Sequence, residues 1–458
     1  MMKIKKIAEQ KLQKNVRWQA LKIIHQVEYH SGYSNQLIDQ FLSQSTLNDA
    51  DNRLLVQLVY GVIQRRYTLD FYLKELIKDK KIDDWVMSLL RLSTYQMVYL
   101  DRIPSFAVVN EAVNIAKING HQGLANFVNA LLRSFERMTL PDFDQLANTV
   151  ERLSVAYSIQ PWIVEEMMRQ FSGNIEEIEI VLASLLEEPF VSARINALPE
   201  EREELLAKLQ AEGYEVAASP LSPYGIRCFK GNLIHSQLFQ QGKITIQDES
   251  SMLVAPLGHI QGSEQILDAC AAPGGKATHI AQFLTSGLLT ALDLSSAKLD
   301  RAKEHAVRMG LSDKIDFQVA DATKFNPNSQ VFYDMIYLDA PCSGLGLMRR
   351  KPEIKYQKSP KDVSQLVSIQ LKLLNHLDTL LKKDGTLIYS TCTTTTQENE
   401  DVITHFLREH PNYQIVPISS ADQIPSDVIT SEGYVRIWQH QFHTDGFFIC
   451  RLKKIEKM

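Results

Sequence analysis

The stretch QILDACAAPGGK, residues 265–276, predicts how the C-terminal half of the chain folds. Its apolar beginning is typical of a buried strand, which breaks after Asp268 into a loop that carries the glycine pair Gly274 and Gly275. A helical pattern follows at once. Glycine at such a turn lets the backbone approach a ligand, and the helix N-terminus offers free amide groups. The stretch therefore predicts the ligand-binding turn of an α/β sheet.

Alternating strands and helices extend from about residue 236 to the C-terminus. Strands are predicted at 264–269, 288–293, 315–319, 333–339, 385–390 and 446–452, and helices at 248–257, 275–284, 296–309, 361–382 and 397–409. This alternation is typical of a parallel, doubly wound sheet. We therefore expect residues 236–458 to form one Rossmann-like α/β domain, whose ligands bind at the carboxyl edge of the sheet.

Two further acids stand at predicted strand ends. Asp293 ends the second strand, 17 residues after Lys276, and is placed to hold two ribose hydroxyls; Asp321 follows the third strand and can accept from an adenine amino group. The loop lacks the GxGxxG pattern that cradles a pyrophosphate, so it fits S-adenosylmethionine better than NAD. A plain strand-to-helix loop is the alternative for the glycine pair alone, and the two acids favour the nucleoside site.

Two cysteines follow the fourth and fifth predicted strands. Cys342 lies in LDAPCSG, residues 338–344, and Cys392 lies in IYSTCT, residues 388–393. Because parallel strands end at one edge of a sheet, we expect both thiols at the ligand-binding edge. The alternative for either cysteine alone is a small buried hydrophobic residue. Two thiols beside a nucleoside site favour a reaction that needs a nucleophile together with an acid or a base.

A pyrimidine is a substrate that suits such a pair. Carbon 5 of cytosine is a poor nucleophile, but a thiolate added at carbon 6 makes the ring enamine-like, so that carbon 5 can attack a methyl sulfonium. One cysteine can be the nucleophile, and the other can assist release of the product. Asp339 could hydrogen-bond the amino group or ring nitrogen and activate the base.

The remaining cysteines and the histidines bound the other classes of site. The chain has five cysteines with no CxxC pair, which indicates a reducing cytoplasm rather than a disulfide framework. Cys228 and Cys450 are predicted core residues, and Cys270 a loop residue whose backbone faces the cofactor. The twelve histidines form no metal-spaced pair, so no metal is expected. The basic N-terminus, from Lys3 to Lys14, lacks the apolar run of a signal peptide, and no stretch is long enough to span a membrane.

The first half of the chain divides in two by pattern. Residues 1–138 show apolar residues at helical spacing, which predicts an all-α domain of six or seven helices. Residues 139–235 predict an acidic mixed α/β connector domain, with helices at 176–186 and 199–210, a strand at 191–195 and short strands near Tyr214 and Ile226.

Charge is distributed unevenly along the chain. The formal net charge is −5, but residues 1–140 hold 19 Lys+Arg against 13 Asp+Glu, and residues 141–235 hold 7 against 16. A basic helical domain can bind phosphates, although a solvated surface is the alternative. After Cys342 comes a basic stretch that we expect either to contact RNA phosphates or to be a solvated loop: Arg349, Arg350, Lys351, Lys355, Lys358 and Lys361.

These motifs together resemble the RNA cytosine-C5 methyltransferase family over almost the whole chain. The matching stretches are Asp268–Lys276, Asp339–Gly344, Ser390–Cys392, Glu398–Glu400 and Gln247–Ser251. The resemblance implies that Cys392 is the nucleophile and that Cys342 assists release. It also implies an S-adenosylmethionine site lined by Cys270, Ala271, Ala272, Pro273, Gly274, Gly275, Lys276, Asp293, Asp321 and Asp339. The run Thr393–Thr396 departs from the family pattern and leaves the nucleophile intact.

The N-terminal domain is similar to NusB-type RNA-binding domains, at residues 104–116 and 126–133. This fusion is the arrangement of bacterial family members that methylate a cytosine of 16S rRNA. It implies 16S rRNA as partner, with an unstacked or loop cytosine as target, and a monomeric cytoplasmic enzyme. Two alternatives stay open at this point: a tRNA cytosine-C5 methyltransferase, and a non-catalytic NusB-like RNA-binding or assembly protein.

Overall fold

The computed structural model describes residues 12–327 and 332–456, so the basic positions Lys3 to Lys11 lie outside the described residues. Contacts divide the chain into two compact units. The helical unit runs up to Leu186 and also takes in Met348–Gln357; the second unit comprises Glu187–Leu347 and the chain from Lys358 onward. The division into three domains at residues 138 and 235 stays a prediction.

The helical unit begins with seven helices and no strand between residues 12 and 137. They are α1 (Val16–Tyr29), α2 (Ser34–Leu42), α3 (Asp49–Gln64), α4 (Arg66–Ile77), α5 (Asp84–Tyr99), α6 (Ser105–Asn119) and α7 (Gln122–Glu136). Their apolar faces pack into one core, as the helical spacing predicts. Asn15 caps α1 by accepting from the backbone N–H of Trp18 at 3.0 Å. The predicted all-α N-terminal region is confirmed.

Three more helices complete the continuous part of this unit: α8 (Thr149–Ala156), α9 (Pro161–Gln170) and α10 (Ile175–Ser184). The hydroxyl of Thr68 on α4 donates to the carbonyl of Val155 on α8 at 2.7 Å. The acidic stretch predicted as part of a connector therefore packs, up to Leu186, with the helices that precede it.

The segment Met348–Gln357, which contains the short helix α15 (Ile354–Gln357), also belongs to the helical unit. Its Glu353 carboxylate accepts from the backbone N–H and the hydroxyl of Ser34, at 3.2 and 2.7 Å. The Lys355 ammonium donates to the carbonyl of Gln64 at 3.3 Å, and the Gln64 amide donates to the carbonyl of Arg349 at 2.9 Å. The segment is thus tied to α2 and α3.

This packing corrects the prediction for the basic stretch. The side chains of Arg349 and Lys355 are buried, with 1% and 0% of their surface exposed, so they are not available to RNA phosphates. Burial holds the pKa of Lys355 well below its ordinary value, with a further lowering from Arg65. Sequence spacing alone could not reveal this, because the covering residues are about 300 positions away in the chain.

The second unit opens with a small antiparallel sheet. Its strands are β1 (Val191–Ile195), β2 (Glu215–Ala218), β3 (Gly225–Lys230) and β4 (Ile244–Ile246), in the order β2-β3-β1-β4. The helix α11 (Arg202–Ala211) packs Leu206 and Leu209 against Ala193 and Ile226. The predicted strand at 191–195 is confirmed, Cys228 is a core residue as expected, and β4 was missed.

A larger sheet forms the rest of this unit. Its strands are β5 (Gln265–Asp268), β6 (Leu288–Asp293), β7 (Ile315–Val319), β8 (Tyr333–Asp339), β9 (Leu381–Thr391), β10 (Tyr413–Ile415), β11 (Val435–Ile437) and β12 (Phe447–Lys454). The order is β10-β12-β9-β8-β5-β6-β7, with β11 paired to β12. Strands β5 to β9 pair in parallel, whereas β12 pairs antiparallel with β9. The predicted doubly wound sheet is confirmed, with an antiparallel edge.

The short helix α12 (Gln237–Gln240) lies between β3 and β4 of the small sheet. The helices between strands of the large sheet are α13 (Gly275–Gln282), α14 (Ser296–Arg308), α16 (Pro360–Asp378) and α17 (Glu400–Glu409). The prediction of a helix at 248–257 is wrong, because two short 3-10 turns occupy it and Pro256 supplies no N–H to continue one. The predicted helix 361–382 ends at Asp378, since the chain enters β9 at Leu381. Cys450 is fully buried in the core behind β12, as expected.

Candidate active site

The two thiols meet where β8 and β9 end. These strands pair in parallel with Asp339 opposite Ser390, and the N–H of Ala340 donates to the carbonyl of Ser390 at 2.8 Å. The loops that follow place the sulfur of Cys342 3.3 Å from the sulfur of Cys392. Parallel pairing thus brings together two residues that are 50 positions apart in sequence.

The environment of the pair favours a protonated Cys342. Its hydrogen bond with Cys392, its burial and the charge that Cys392 carries as a thiolate raise the pKa of Cys342 well above the ordinary thiol value. Cys342 therefore keeps its proton at neutral pH and can donate it in a hydrogen bond to the neighbouring sulfur.

Asp339 is fixed by two partners beside the thiols. Its Oδ2 lies 2.7 Å from the ammonium nitrogen of Lys276, and its Oδ1 accepts from the hydroxyl of Ser390 at 2.9 Å. Burial disfavours the charged form of Lys276, but the attraction of Asp339 outweighs it and raises the pKa of the ammonium. The glycine turn after β5 is thereby tied to the end of β8.

Backbone geometry explains the glycine at the turn. Gly274 has φ +100°, and a Cβ added there would lie 2.7 Å from the Cβ of Ala302 on α14. Any other residue would meet both backbone strain and a clash. Gly275 then begins α13, whose first N–H groups face the carboxyl edge of the sheet.

Asp268, at the end of β5, belongs to the matching stretch Asp268–Lys276, but the sequence alone indicates no role for it. It is 1% exposed, and its Oδ2 has no hydrogen-bond partner in the part of the chain that the structure describes. Burial, and then repulsion from Asp339, raise the pKa of Asp268 to about 7. The same surroundings raise the pKa of the Cys270 thiol, chiefly through burial. An acid at the end of the first strand was the available signal.

The next two strand ends carry the other predicted acids. Asp293 accepts from the N–H of Ser295 at 2.9 Å. Asp321 accepts from the hydroxyl and N–H of Thr323, at 2.7 and 2.9 Å, and these bonds lower the pKa of its carboxyl. Both side chains remain partly exposed. The sheet order β7-β6-β5-β8 therefore places four carboxylates side by side at one edge.

This edge fits S-adenosylmethionine. The molecule carries a sulfonium and an ammonium, which suit a row of carboxylates, and it has ribose hydroxyls that Asp293 can accept from. At the end of the turn from Cys270 to Lys276, the first N–H groups of α13 could donate to the bound molecule. Gln247, for which the sequence indicates no role of its own, supports this turn: its side chain lies beside Gly275 and accepts from the buried Arg194 at 2.6 Å.

The described residues also bear on metal binding and on membrane crossing. Within 12–327 and 332–456, no group of three or more His, Cys, Asp or Glu side chains is arranged to hold a metal ion. None of the helices that the structure describes combines the length and apolar composition needed to cross a bilayer.

The parallel sheet, its glycine turn and its acidic edge define a class of protein, the S-adenosylmethionine-dependent methyltransferases. Three family models match the chain: 16S rRNA methyltransferase RsmB/F over residues 256–453, the NusB family over 14–137, and an RsmF/B-like ferredoxin-like domain over 160–232. A probable ribosomal RNA small subunit methyltransferase B of Bacillus subtilis is 42% identical over 96% of this chain and 99% of its own. The chain belongs to the 16S rRNA methyltransferase RsmB/F family.

Further relatives agree with this assignment. A probable ribosomal RNA small subunit methyltransferase B of Synechocystis is 34% identical over 96% of this chain and 99% of its own. Among solved structures, PH0851 superposes with a TM-score of 0.81 at 26% identity, covering 96% of this chain and 98% of that one. NSun6 from Pyrococcus horikoshii, solved with SFG, shares the fold with a TM-score of 0.56 at 23% identity, over 64% of this chain and 97% of its own. The predicted NusB-like and methyltransferase parts and the methyl donor, S-adenosylmethionine, are confirmed.

Proposed function

We propose that this protein methylates carbon 5 of a cytosine in 16S rRNA through a covalent bond between Cys392 and carbon 6 of the base. The observation that carries the proposal is the 3.3 Å separation of the Cys342 and Cys392 sulfurs beside Asp339. A single thiol at a sheet edge would suit many roles, but a contacting pair beside a carboxylate suits reversible addition to a pyrimidine.

The two thiols take unequal parts in the reaction. The Cys392 thiolate adds to carbon 6, and its electron pair passes through the ring to make carbon 5 nucleophilic. Bound S-adenosylmethionine would supply the electrophilic methyl group to carbon 5 and leave as S-adenosylhomocysteine. Asp339 holds the amino group or ring nitrogen of the base while charge shifts into the ring. The proton on carbon 5 then passes to a base, and the carbon–sulfur bond to Cys392 breaks.

Release is the step that we assign to Cys342. As the bond to carbon 6 breaks, its electron pair returns to the Cys392 sulfur, which becomes a thiolate again. The raised pKa of Cys342 keeps a proton on its sulfur, so the thiol can donate a hydrogen bond to the departing sulfur 3.3 Å away. Without that donor the thiolate is a poorer leaving group, and the adduct persists.

The family and the geometry of the sheet edge support RNA as the partner. A sulfur at a sheet edge can reach carbon 6 only when the base is unstacked, so we expect a loop or flipped cytosine as target. We assign RNA delivery to the NusB-like helices and methyl-donor binding to residues 270–276, Asp293, Asp321 and Asp339. We expect the protein to act on 16S rRNA in the cytoplasm, as a monomer.

The thiols provide the decisive experiment. Incubation of Cys342→Ala with 16S rRNA and S-adenosylmethionine should give an RNA–protein adduct that survives denaturing electrophoresis. Cys392→Ala should give no adduct and no 5-methylcytosine. Methylation by Cys392→Ala would overturn the mechanism.

Two further experiments test the alternative functions. Bisulfite sequencing of 16S rRNA and tRNA from a deletion strain separates an rRNA substrate from a tRNA substrate. Absence of S-adenosylmethionine binding by calorimetry would favour a non-catalytic binding protein.

A further inference from the structure

We infer that Glu398 is a positioning residue that sets the distance between the two cysteine loops. This inference rests on the proposed function and deepens it. Glu398 ends the 3-10 turn Thr396–Glu398, just before α17, and its side chain is completely buried. Both of its carboxylate oxygens are turned toward the ends of β8 and β9, and each accepts from more than one donor.

One set of contacts holds the loop of Cys342. Oε1 of Glu398 accepts from the N–H of Ser343 at 2.8 Å, and Oε2 accepts from its hydroxyl at 2.5 Å. The amide of Gln370 donates to Oε1 at 3.2 Å and to the carbonyl of Pro341 at 3.0 Å. The residues immediately before and after Cys342 are therefore both fixed, one directly by Glu398 and one through Gln370.

A second set holds the loop of Cys392. Oε2 of Glu398 accepts from the hydroxyls of Thr395 and Thr393, at 2.9 and 3.3 Å. The Thr393 hydroxyl also lies 2.7 Å from that of Ser343, so one of the two hydroxyls shares its proton between its neighbour and Glu398, and the two loops contact each other directly as well as through the carboxylate. On the other side of Cys392, the hydroxyl of Thr391 donates to the side chain of Asn399 at 2.6 Å. Glu398 thus holds the loops of both cysteines, and Asn399, the next residue, holds Thr391 beside Cys392.

The chemistry of the donors explains why the residue is a carboxylate. The five groups that donate to Glu398 are all neutral, namely two groups of Ser343, two threonine hydroxyls and one amide. An ionised carboxylate only accepts hydrogen bonds, at about four lone-pair sites, so these donors fill its capacity, with the Thr393 contact the longest at 3.3 Å; the charge strengthens each bond. A glutamine would turn an NH₂ group toward these donors. A buried carboxylate charge is unfavourable unless hydrogen bonds compensate it. Glu398 therefore favours the one spacing of the Cys342 and Cys392 loops at which all of its donors reach it.

The test measures thiol spacing separately from methylation. Phenylarsine oxide condenses with two neighbouring thiols to form two As–S bonds, releasing its oxygen as one water with both thiol protons. In the full-length protein we expect Glu398→Gln to bind the arsenical at least about tenfold more weakly than wild type. We expect its single-turnover methylation rate to fall on the order of 100-fold, the usual effect of a displacement of about 1 Å. Its affinity for S-adenosylmethionine should stay within about twofold, since Glu398 contacts neither the 270–276 turn nor Asp293.

Two variants serve as controls. Glu353→Gln alters a buried glutamate that accepts from the N–H and hydroxyl of Ser34, the same donor types, in the helical unit. It should leave arsenical binding unchanged. Cys342→Ser should abolish the bridged arsenical, which identifies the thiols that are measured. If Glu398→Gln does not fold, Thr395→Val removes one donor and should give a smaller change in the same direction.

The outcomes separate the inference from the function. Wild-type arsenical binding together with wild-type methylation in Glu398→Gln would overturn the positioning role. Equal weakening in Glu353→Gln would overturn it too, because the effect would then be general destabilisation. A wild-type protein that binds the arsenical but never methylates RNA would sink the proposed function, while weakened binding in Glu398→Gln would still support the spacing role.

Discussion

The ammonium nitrogen of Lys276, in the first turn of α13, lies 2.7 Å from the carboxylate of Asp339 and so connects the start of this helix to the end of β8. This ion pair links the turn expected to hold the methyl donor with the acid expected to hold the base. The side chains are only 16% and 29% exposed, so water screens the attraction weakly. Losing the lysine would leave Asp339 facing the buried Asp268 without its partner.

Replacement of that lysine tests the link. We expect Lys276→Met to lower the single-turnover methylation rate on the order of 100-fold, because Asp339 is no longer held in place. Lys382→Met is the matched control, since it removes an equally short 2.7 Å pair with Asp334 at the opposite end of β8. That pair is 42% and 35% exposed, so its loss should change the rate less than about twofold. Equal rates in the two variants would contradict the role of Lys276.

Asp268 predicts a dependence of stability on pH. Its pKa is raised from 3.8 to about 7, so the folded protein binds a proton that the unfolded chain releases between those values. Stability contributed at this position is therefore lost as pH rises through that window, at up to about 1.4 kcal/mol per pH unit. Asp268→Asn removes the titrating group. Its free energy of unfolding in urea, relative to wild type, should increase from pH 4.5 to pH 7.5; a difference that does not vary with pH would show that Asp268 has an ordinary pKa.

The glycine turn gives a prediction for methyl-donor binding. Gly274→Ala introduces strain at φ +100° and a contact of 2.7 Å with Ala302, so the turn must move. We expect S-adenosylmethionine to bind at least about tenfold more weakly by calorimetry, equivalent to about 1.4 kcal/mol. Gly310→Ala is the control, because Gly310 has φ +69° but nothing within 4 Å of an added Cβ. Gly310→Ala should introduce similar backbone strain but leave the affinity for S-adenosylmethionine unchanged. A similar loss of affinity in both variants would argue against the turn as the binding element.

The salt dependence of RNA binding can distinguish the buried from the exposed residues of the basic stretch after Cys342. Lys355 is buried against the carbonyl of Gln64, so Lys355→Met should leave RNA affinity and its salt dependence unchanged. Lys361 is exposed at the beginning of α16. If it contacts a phosphate as predicted, Lys361→Met should weaken binding and reduce the slope of log K against log salt by about one. A reduced slope in Lys355→Met would contradict the burial of its ammonium.

The sequence predicted best what local pattern controls. The strands at 315–319 and 333–339 were predicted with the bounds that the structure has, because each is an apolar run between clear turn signals. Parallel pairing of β8 with β9 brings the loops of Cys342 and Cys392 to the same edge of the sheet, as the sequence predicted. By contrast, nothing near Glu398 in sequence marks it as the acceptor for Ser343, which is 55 residues away. Burial of Arg349 and Lys355 likewise depends on helices about 300 residues earlier, where local charge patterns carry no information.

Because Met348–Gln357 packs in the helical unit, this unit cannot form all of its contacts as soon as its own helices have been synthesised. Glu353 meets Ser34 across 319 residues of chain, and Tyr356 donates to the carbonyl of Ile63 across 293. The helices from α1 to α10 are synthesised first, but Glu353 and Tyr356 follow only when about half of the methyltransferase part, residues 256–453, has been made. The helical unit therefore acquires its last contacts only after the loop that carries Cys342 has been made.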